Sequence, residues 1–356
     1  MATRFSSTAS TPAPASAQAL PDSRLRPLHY WSALGAIFAA VQIYVYVSWI
    51  VSGDAYRQPT GADPVPSAVK AAAWIMQAVC LLAAVCLVIY LWRRSRREGK
   101  LAWDTLVAIA FAGAYWMDPV LNFARPTFFY NSYLINFGSW TSHIPGWLSP
   151  NAGNLPEPIL MIGPLYAWLF VLFGILFCAM ARRLHRIRPN IGKVGIFLTG
   201  VVVFGIFDLV MEGIFVQTRL FAYPGVIGTL SMFPGQVYQF PIYEAFIGGI
   251  NASVVGMIRL TRDDHGHSVI ERGAEGLQVG ARVKTTLRIL AFIGLANTMW
   301  VVMNIVYVGN SFYIDNVPHY PSYLNNDICG VRVAVPCPGP GVPILIDNTP
   351  HRLNPR

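Results

Sequence analysis

Residues 190–214 read "NIGKVGIFLTGVVVFGIFDLVMEGI" and form the clearest membrane-spanning pattern in the chain. At about 1.5 Å per residue, a helix of this length covers a hydrocarbon core of roughly 30 Å. After Lys193 the run carries no charged residue except Asp208 and Glu212, which are one helical turn apart. The stretch therefore predicts a transmembrane helix that carries two carboxyl groups inside the membrane.

The rest of the chain repeats this apolar pattern. Of the 356 residues, 54% are hydrophobic and 12% are charged, and the mean hydropathy is +0.46, which is too apolar for an ordinary soluble domain. The sequence predicts an all-α, polytopic bundle of about seven transmembrane helices in the cell membrane. The expected spans are 29–52, 68–92, 101–123, 156–182, 190–214, 238–262 and 284–308.

Three regions follow from this reading. Residues 1–28 are rich in Ser, Thr, Ala and Pro and are expected to be disordered. Residues 29–308 form the transmembrane domain, and residues 309–356 form an extracytoplasmic tail. Most of the 26 Lys and Arg residues flank the same ends of the spans, so the positive-inside rule predicts a cytoplasmic N-terminus and an outer C-terminus. The net charge of +9 therefore marks a membrane face and does not indicate nucleic acid.

Five acidic residues fall in the outer half of the predicted bundle. An ionised carboxylate facing lipid costs at least about 2.5 to 3.5 kcal/mol, so we expect these side chains to point into a shared polar cavity. Crowded carboxyl groups in a low dielectric cannot all be ionised, so a protonated acid is expected beside a carboxylate, as general acid–base catalysis requires. The candidate catalytic residues are Asp118, Glu157, Asp208, Glu212 and Glu244.

Neighbouring polar and aromatic residues extend the same helix faces or lie in the aromatic outer loops, 124–155 and 215–237, which are expected to cover the outer mouth. The candidate substrate-binding residues are Trp116, Asn122, Tyr130, Asn136, Trp140, Tyr243, Asn251 and Asn304.

Structural explanations compete with the catalytic one. Glu157 fits a first-turn helix acid next to proline, and Asp118 fits a residue that satisfies backbone groups freed by the Pro119 kink. The pair in the fifth span fits a buried ion network with Arg125 or Arg219. Asp104, at the inner end of the third span, fits an interfacial acid.

Metal and cofactor chemistry finds no support in the motifs. None of the seven histidines lies in a span at metal-binding spacing, and no phosphate-binding or dinucleotide-binding glycine motif is present. We therefore expect no metal and no cofactor. In the tail, Cys329 and Cys337 are expected either to form a disulfide in an oxidising compartment or to remain free thiols. The polar connection 262–276 is expected to be mobile.

Several stretches resemble the AveC-like spirocyclase family of actinobacterial membrane proteins, over roughly residues 30–310. They are "YWMDPVLNF" (115–123), "YNSYLINFGSW" (130–140), "GNLPEPIL" (153–160), "FDLVMEGIFVQTRLFAYPG" (207–225) and "YQFPIYEAF" (238–246).

The resemblance implies closure of a polyketide dihydroxy-ketone into a spiroketal, with dehydration in some members. We hypothesise that Glu244 or Glu212 is the acid and that Asp208 or Asp118 is the base. Tyr243, Tyr130, Trp116 and Trp140 would shape an apolar pocket, and a lipophilic substrate would enter from the membrane.

Other functions use the same residues. A proton-coupled transporter or lipid-handling protein would relay protons through the buried acids, and a binding or scaffold protein would present the aromatic outer loops. A transporter needs polar groups near the cytoplasmic side, and the inner halves of the spans are nearly free of acids. The expected partners are a lipophilic small molecule and membrane lipid, without nucleic acid. The sequence indicates no oligomeric state.

Overall fold

The computed structural model describes residues 26–264 and 266–344. The described chain is a bundle of seven helices with an eighth short helix in the tail, and this confirms the all-α class. The helices are α1 (Pro27–Ser52), α2 (Ser67–Glu98), α3 (Trp103–Gly113), α4 (Ile162–Ile187), α5 (Lys193–Gln217), α6 (Ile242–Leu260), α7 (Ala281–Ser311) and α8 (Ser322–Asn325).

Five of these helices, α1, α2, α4, α5 and α7, are long and apolar enough to cross a membrane by length and composition. The other two predicted spans are helical but do not meet that standard. The third run is α-helical only to Gly113 and continues as a 3-10 helix over Ala114–Asn122. This segment contains Pro119, which cannot donate a backbone hydrogen bond and disfavours α geometry. Helix α6 has only 19 residues and includes Glu244 and Arg259.

The fourth run starts later than predicted. Helix α4 begins at Ile162, and the residues before it are held as extended chain by an antiparallel bridge between Asn136 and Pro158. Pro156 and Pro158 fit this conformation because proline cannot donate the hydrogen bonds of a helix interior. Glu157 therefore lies in a loop, and its reading as a first-turn helix acid is wrong.

Glycines let two helix pairs approach closely. Helix α1 packs on α7 where Gly35 faces Gly294, and α5 packs on α6 where Gly205 faces Gly249. A Cβ on Gly249 would lie 2.3 Å from a backbone oxygen of α5, so only glycine fits there. Helix α7 also packs on α3, α3 on α4, and α4 on α6, so the bundle surrounds an internal space.

A cap of loops and short strands covers one end of the bundle, which we call the outer end after the predicted topology; we call the opposite end the inner end. Strand β1 (Phe129–Tyr130) pairs with β2 (Phe221–Ala222), and β3 (Ser231–Met232) pairs with β4 (Phe240–Pro241), both antiparallel.

The described part of the tail, which follows α7, packs onto the cap. The Arg125 guanidinium donates to the carbonyls of Ser311 and Val342, and Cys329 is disulfide-bonded to Cys337. The disordered segment predicted over 1–28 lies mostly outside the described residues, as does the tail beyond residue 344.

The inner end of the bundle is tied by buried ion pairs. Asp104 is fully buried and accepts hydrogen bonds from Arg259 at 3.1 and 3.0 Å and from Arg94. It therefore joins α2, α3 and α6, and it is buried within the bundle rather than exposed at its surface. The connection between α6 and α7, expected to be mobile, folds back onto the bundle at Glu271, which is buried and bonded to Arg288 at 2.8 Å.

Candidate functional site

A cavity of about 90 Å³ lies in the outer half of the bundle. Its walls come from α3, the 3-10 segment, α4, α5, α6 and α7, and the β1–β2 pair closes its outer end. The lining is mainly aromatic and aliphatic, with four carboxyl groups, and none of the described residues that line it is Arg, Lys or His. Four of the five predicted acids line it: Asp118, Asp208, Glu212 and Glu244.

Three of these acids form one cluster. Asp208 and Glu212 are on successive turns of α5, and Glu244 is in the first turn of α6. One carboxyl oxygen of each lies within 4.8 Å of those of the other two. Asp208 Oδ2 and Glu244 Oε2 are buried and have no hydrogen-bond partner among the described residues. We call these three residues the carboxyl trio.

The helix crossing makes room for the trio. A Cβ on Gly248 would lie 2.5 Å from the carboxylate carbon of Asp208, so α6 accommodates this carboxyl group only because residue 248 is glycine. The close backbone approach at Gly205 and Gly249 holds α5 against α6 at the same level. The glycines therefore fix the position of Asp208 relative to Glu244.

Asp118 lies on another wall, at the 3-10 segment. The Tyr166 hydroxyl of α4 donates to Asp118 Oδ1, and Oδ2 has no partner among the described residues. Glu157 is buried close to Asp118 but does not line the cavity, and neither of its carboxyl oxygens has a hydrogen-bond partner in the described chain. Glu157 therefore lies next to one cavity acid but outside the cavity wall.

Two tyrosines that the sequence reasoning missed hold cavity carboxyl groups. Tyr166 bonds to Asp118, and the Tyr223 hydroxyl donates to Glu212 Oε2 at 2.6 Å. Tyr166 belongs to the stripe Ile162, Leu165, Tyr166, Leu169, Phe170 and Phe173, whose helical spacing indicates one inward face. No spacing rule in the sequence brings Tyr223, in β2, back to α5.

Among the predicted substrate-binding residues, Tyr130 and Asn251 line the cavity. The Asn251 Nδ2 group lies 3.6 Å from Met303 Sδ of α7. Tyr243, on the turn that carries Glu244, is partly exposed and does not line the cavity. Asn304 is buried but is not a lining residue either, and neither of its amide atoms has a hydrogen-bond partner within the described residues.

The remaining predicted substrate-binding residues make hydrogen bonds that support the fold. Trp116 Nε1 donates to Asn297 Oδ1 at 2.8 Å, and Trp140 Nε1 donates to the Trp116 carbonyl. Asn122 Oδ1 accepts two backbone N–H groups of the loop that follows it. Asn136 Oδ1 accepts the backbone N–H of residues 58 and 138. These four side chains hold the 3-10 segment and the loops in place, and they do not form the cavity wall that was predicted for them.

The ion-network alternative for the fifth span is not what the structure shows. Arg125 bonds to two backbone carbonyls, and Arg219 donates to the Tyr323 hydroxyl at 3.1 Å. Among the described residues, no salt bridge links either arginine to Asp208 or Glu212. The kink explanation for Asp118 is likewise unsupported, because its one bonded oxygen accepts a side-chain hydroxyl.

Within the described part of the chain, two groups of side chains have the spacing to hold a metal ion. One is the carboxyl trio, and the other is Asp263, His267 and Glu275 at the inner surface. Without a basic residue in the described lining, the charge of the trio is balanced either by protons or by a bound cation.

The fold and the site define a membrane-type helical bundle with an internal, aromatic, acid-bearing cavity in its outer half. The chain belongs to the AveC-like spirocyclase family: it matches the family described as "Spirocyclase AveC-like" over residues 92–320, more than half of its length. The match extends from the last turns of α2 into the tail after α7, so it includes every residue of the cavity, and it confirms the resemblance seen in the sequence motifs. No curated protein and no solved structure matches the chain.

Proposed function

We propose that this protein is a membrane-embedded, cofactor-independent cyclase that closes a lipophilic, polyketide-like hydroxy-ketone into a spiroketal. It would reside as a multi-pass protein in the cell membrane with its N-terminus in the cytoplasm. The observation that carries the proposal is the convergence of four carboxyl groups from the 3-10 segment, α5 and α6 on one aromatic cavity. Membership of the spirocyclase family supports the reaction class.

The chemistry needs proton donors and acceptors at several positions. One substrate hydroxyl adds to the ketone carbon and gives a cyclic hemiketal. An acid then protonates the hemiketal hydroxyl, which leaves as water, and the ring oxygen shares the positive charge of the resulting oxocarbenium ion. The second hydroxyl attacks that carbon and loses its proton to a carboxylate. The net change is the loss of one water molecule. The proton taken up by the base must then return to the acid before the next turnover.

The hydrogen bonds suggest which carboxyl groups fill which role. Asp118 and Glu212 each accept a tyrosine hydroxyl, so both are arranged as acceptors. Glu244 has a buried oxygen without a partner among the described residues, so it can pass a proton to substrate. We assign Glu244 as the acid and Asp118 as the base, with Asp208 and Glu212 stabilising the cation. Aromatic faces such as Trp300 and Phe170 add cation–π stabilisation.

The inner end of the bundle favours an enzyme over a proton-coupled transporter. Asp104 there is bonded to two arginines and joins three helices, so this acid is committed to a structural network. A relay of protons to the cytoplasmic side would require breaking these buried pairs. Intact-cell accumulation assays provide the direct comparison, because a transporter changes substrate distribution and a cyclase changes substrate structure.

The test uses a deletion strain complemented with single variants and compared by untargeted metabolite analysis. Glu244→Gln and Asp208→Asn should each accumulate an open-chain ketone that differs from the wild-type product by one water. Glu98→Gln is the matched control, since this acid is on the exposed end of α2, paired with Arg94 at the surface. Protein amount in the membrane is measured in parallel. Wild-type product levels in both cavity variants would remove these residues from the mechanism.

A further inference from the structure

The cavity has a side on which two of its helices do not pack together. Helix α6 packs on α4 and α5, and α7 packs on α1 and α3, but within the described residues α6 and α7 are not among the packed helix pairs. Both helices nevertheless line the cavity, with Gly248 and Asn251 on α6 and Met299 and Met303 on α7. The boundary between α6 and α7 is therefore a seam in the outer half of the bundle.

Exposure differs between the seam and the opposite wall. Leu121, Phe128, Tyr130 and Phe221, at the 3-10 segment and the cap, are all buried. The four lining residues of the seam are partly exposed, although they are cavity residues. Tyr166, Met211 and Glu212 on α4 and α5 are partly exposed too, and part of such surface faces the cavity itself. The seam is therefore distinguished by the missing packing between α6 and α7.

The outer surface beside the seam is apolar. Phe246 and Ile250 flank it on α6, and Val302 and Val306 flank it on α7, with exposed fractions between 41% and 57%. Exposed apolar side chains on an apolar helix are suited to lipid and not to water. The seam therefore opens toward the hydrocarbon layer, whereas the cap and its tail cover the aqueous end.

One side-chain contact bridges the seam. The Asn251 Nδ2 group points at Met303 Sδ at 3.6 Å, and a thioether is a weak hydrogen-bond acceptor. Methionine is flexible and unbranched, so Met299 and Met303 can change rotamer at low cost and admit ligands of varied shape. The bridge is thus weak enough to open without unfolding either helix.

We infer that the α6–α7 seam is a lateral entrance through which a lipophilic ligand passes from the membrane to the carboxyl trio, with the Asn251–Met303 contact as its latch. The identity of the ligand as a hydroxy-ketone rests on the proposed function. The route itself does not, because it follows from how the helices pack and which residues are exposed.

The test measures access and does not depend on turnover. Protein in lipid vesicles is treated with dicyclohexylcarbodiimide, a lipophilic reagent that adds a carboxylic O–H across a C=N bond and rearranges to a stable N-acylurea with no leaving group. Mass spectrometry locates and times the adduct on Glu244 or Asp208. A water-soluble carbodiimide serves as the comparison, and Glu244→Gln shows which adduct belongs to residue 244.

The seam is closed by the double variant Asn251→Cys/Met303→Cys, cross-linked by oxidation. Cross-linking should slow adduct formation by about tenfold or more, which equals roughly 1.4 kcal/mol of added barrier, and reduction should restore it. Asn251→Cys alone, treated identically, controls for effects on the Cys329–Cys337 disulfide. Met303→Ala should speed labelling, while Ile305→Ala, on the lipid-facing side of the same helix, should leave it unchanged.

Labelling of the cross-linked protein at the wild-type rate would overturn the inference, as would faster labelling by the water-soluble reagent. These outcomes are distinct from failure of the proposed function. If cross-linking slows labelling but Glu244→Gln cells make normal product, the entrance stands and Glu244 is not the catalytic acid. If cross-linking has no effect but Glu244→Gln cells accumulate the open-chain ketone, the proposed function stands and the entrance does not.

Discussion

The substitution Gly248→Ala tests whether the carboxyl trio is held in place by the crossing of α5 and α6. The added Cβ would lie 2.5 Å from the Asp208 carboxylate, where ordinary contact begins at 3.4 Å, so the carboxyl group must move by about 1 Å. The helices cannot separate easily, because Gly249, next to Gly248, and Gly205, one turn from Asp208, bring their backbones together. The strain therefore falls on Asp208.

Overpacking of this kind costs about 1 to 3 kcal/mol of unfolding free energy. The matched control is Gly213→Ala on α5, where a Cβ meets nothing within 4 Å, and where alanine should stabilise the helix by about 0.5 to 1 kcal/mol. The free energy of unfolding of both variants and of wild type is measured by reversible denaturant unfolding in mixed micelles. The amount of product is measured in the deletion strain complemented with each variant. A displacement of about 1 Å in a catalytic group should lower turnover by about 100-fold.

A double-mutant cycle isolates the cause. In an Asp208→Ala background the clashing carboxylate is absent, so the cost of Gly248→Ala should fall, giving a coupling free energy within the range of about 0.5 to 3 kcal/mol expected for contacting residues. A cost for Gly248→Ala that is the same in both backgrounds, or no larger than the effect of Gly213→Ala, would refute the argument that this glycine makes room for the acid.

Three further predictions concern other parts of the structure. Asp104→Asn leaves Arg259 buried without its carboxylate and should destabilise the bundle by about 3 to 5 kcal/mol, measured by the same unfolding assay, whereas an amide at an exposed acid should change little. Backbone hydrogen bonding from Ser322 lowers the pKa of Asp63 below its ordinary value, so the stabilisation is present above about pH 3.9 and is lost as pH falls through the lowered value. Asp63→Asn should therefore lower the Tm at pH 7, and the gap to wild type should close in acid. Tyr223→Phe removes a hydroxyl donated to a cavity carboxyl group and should cost about 0.5 to 1.5 kcal/mol of stability, together with a fall in product; unchanged product would exclude it from the site.

The sequence predicted what depends on periodicity and depth. Apolar runs and basic flanks indicated the helical bundle, and the outer position of Asp208, Glu212 and Glu244 on two spans indicated that they would meet. Both inferences need only the rise of a helix and the cost of a carboxylate in lipid. The number of full spans was less predictable, because Pro119 turns the end of the third run into a 3-10 helix that contributes to the cavity wall.

The features that the sequence did not reveal depend on contacts between distant segments. Tyr223 reaches Glu212 only because β2 pairs with β1 over the cavity. Trp116 and Asn122 fit the helix-face pattern of ligands, but their polar atoms are used by Asn297 and by the next loop. Periodicity gives the direction of a side chain from its helix, and it does not identify the partner that the fold supplies.

Buried acids are paired with arginine at the inner end of the bundle and, among the described residues, are unpaired with any cation in the cavity at the outer end. This difference distinguishes structural acids from candidate catalytic acids. At the inner end, Asp104 and Glu271 are fully buried and each is paired with arginine. Helix α6 contains both kinds of site, since Arg259 near its inner end completes such a pair while Glu244 near its outer end has an unbonded oxygen among the described residues. Burying a carboxyl group without a cation is costly, and an apolar residue at position 244 would pack in the aromatic cavity at less cost. An arrangement that forgoes this stability is typical of a site kept for chemistry. Replacing a carboxyl group by its amide should therefore mainly cost stability at the inner end and mainly cost turnover at the outer end.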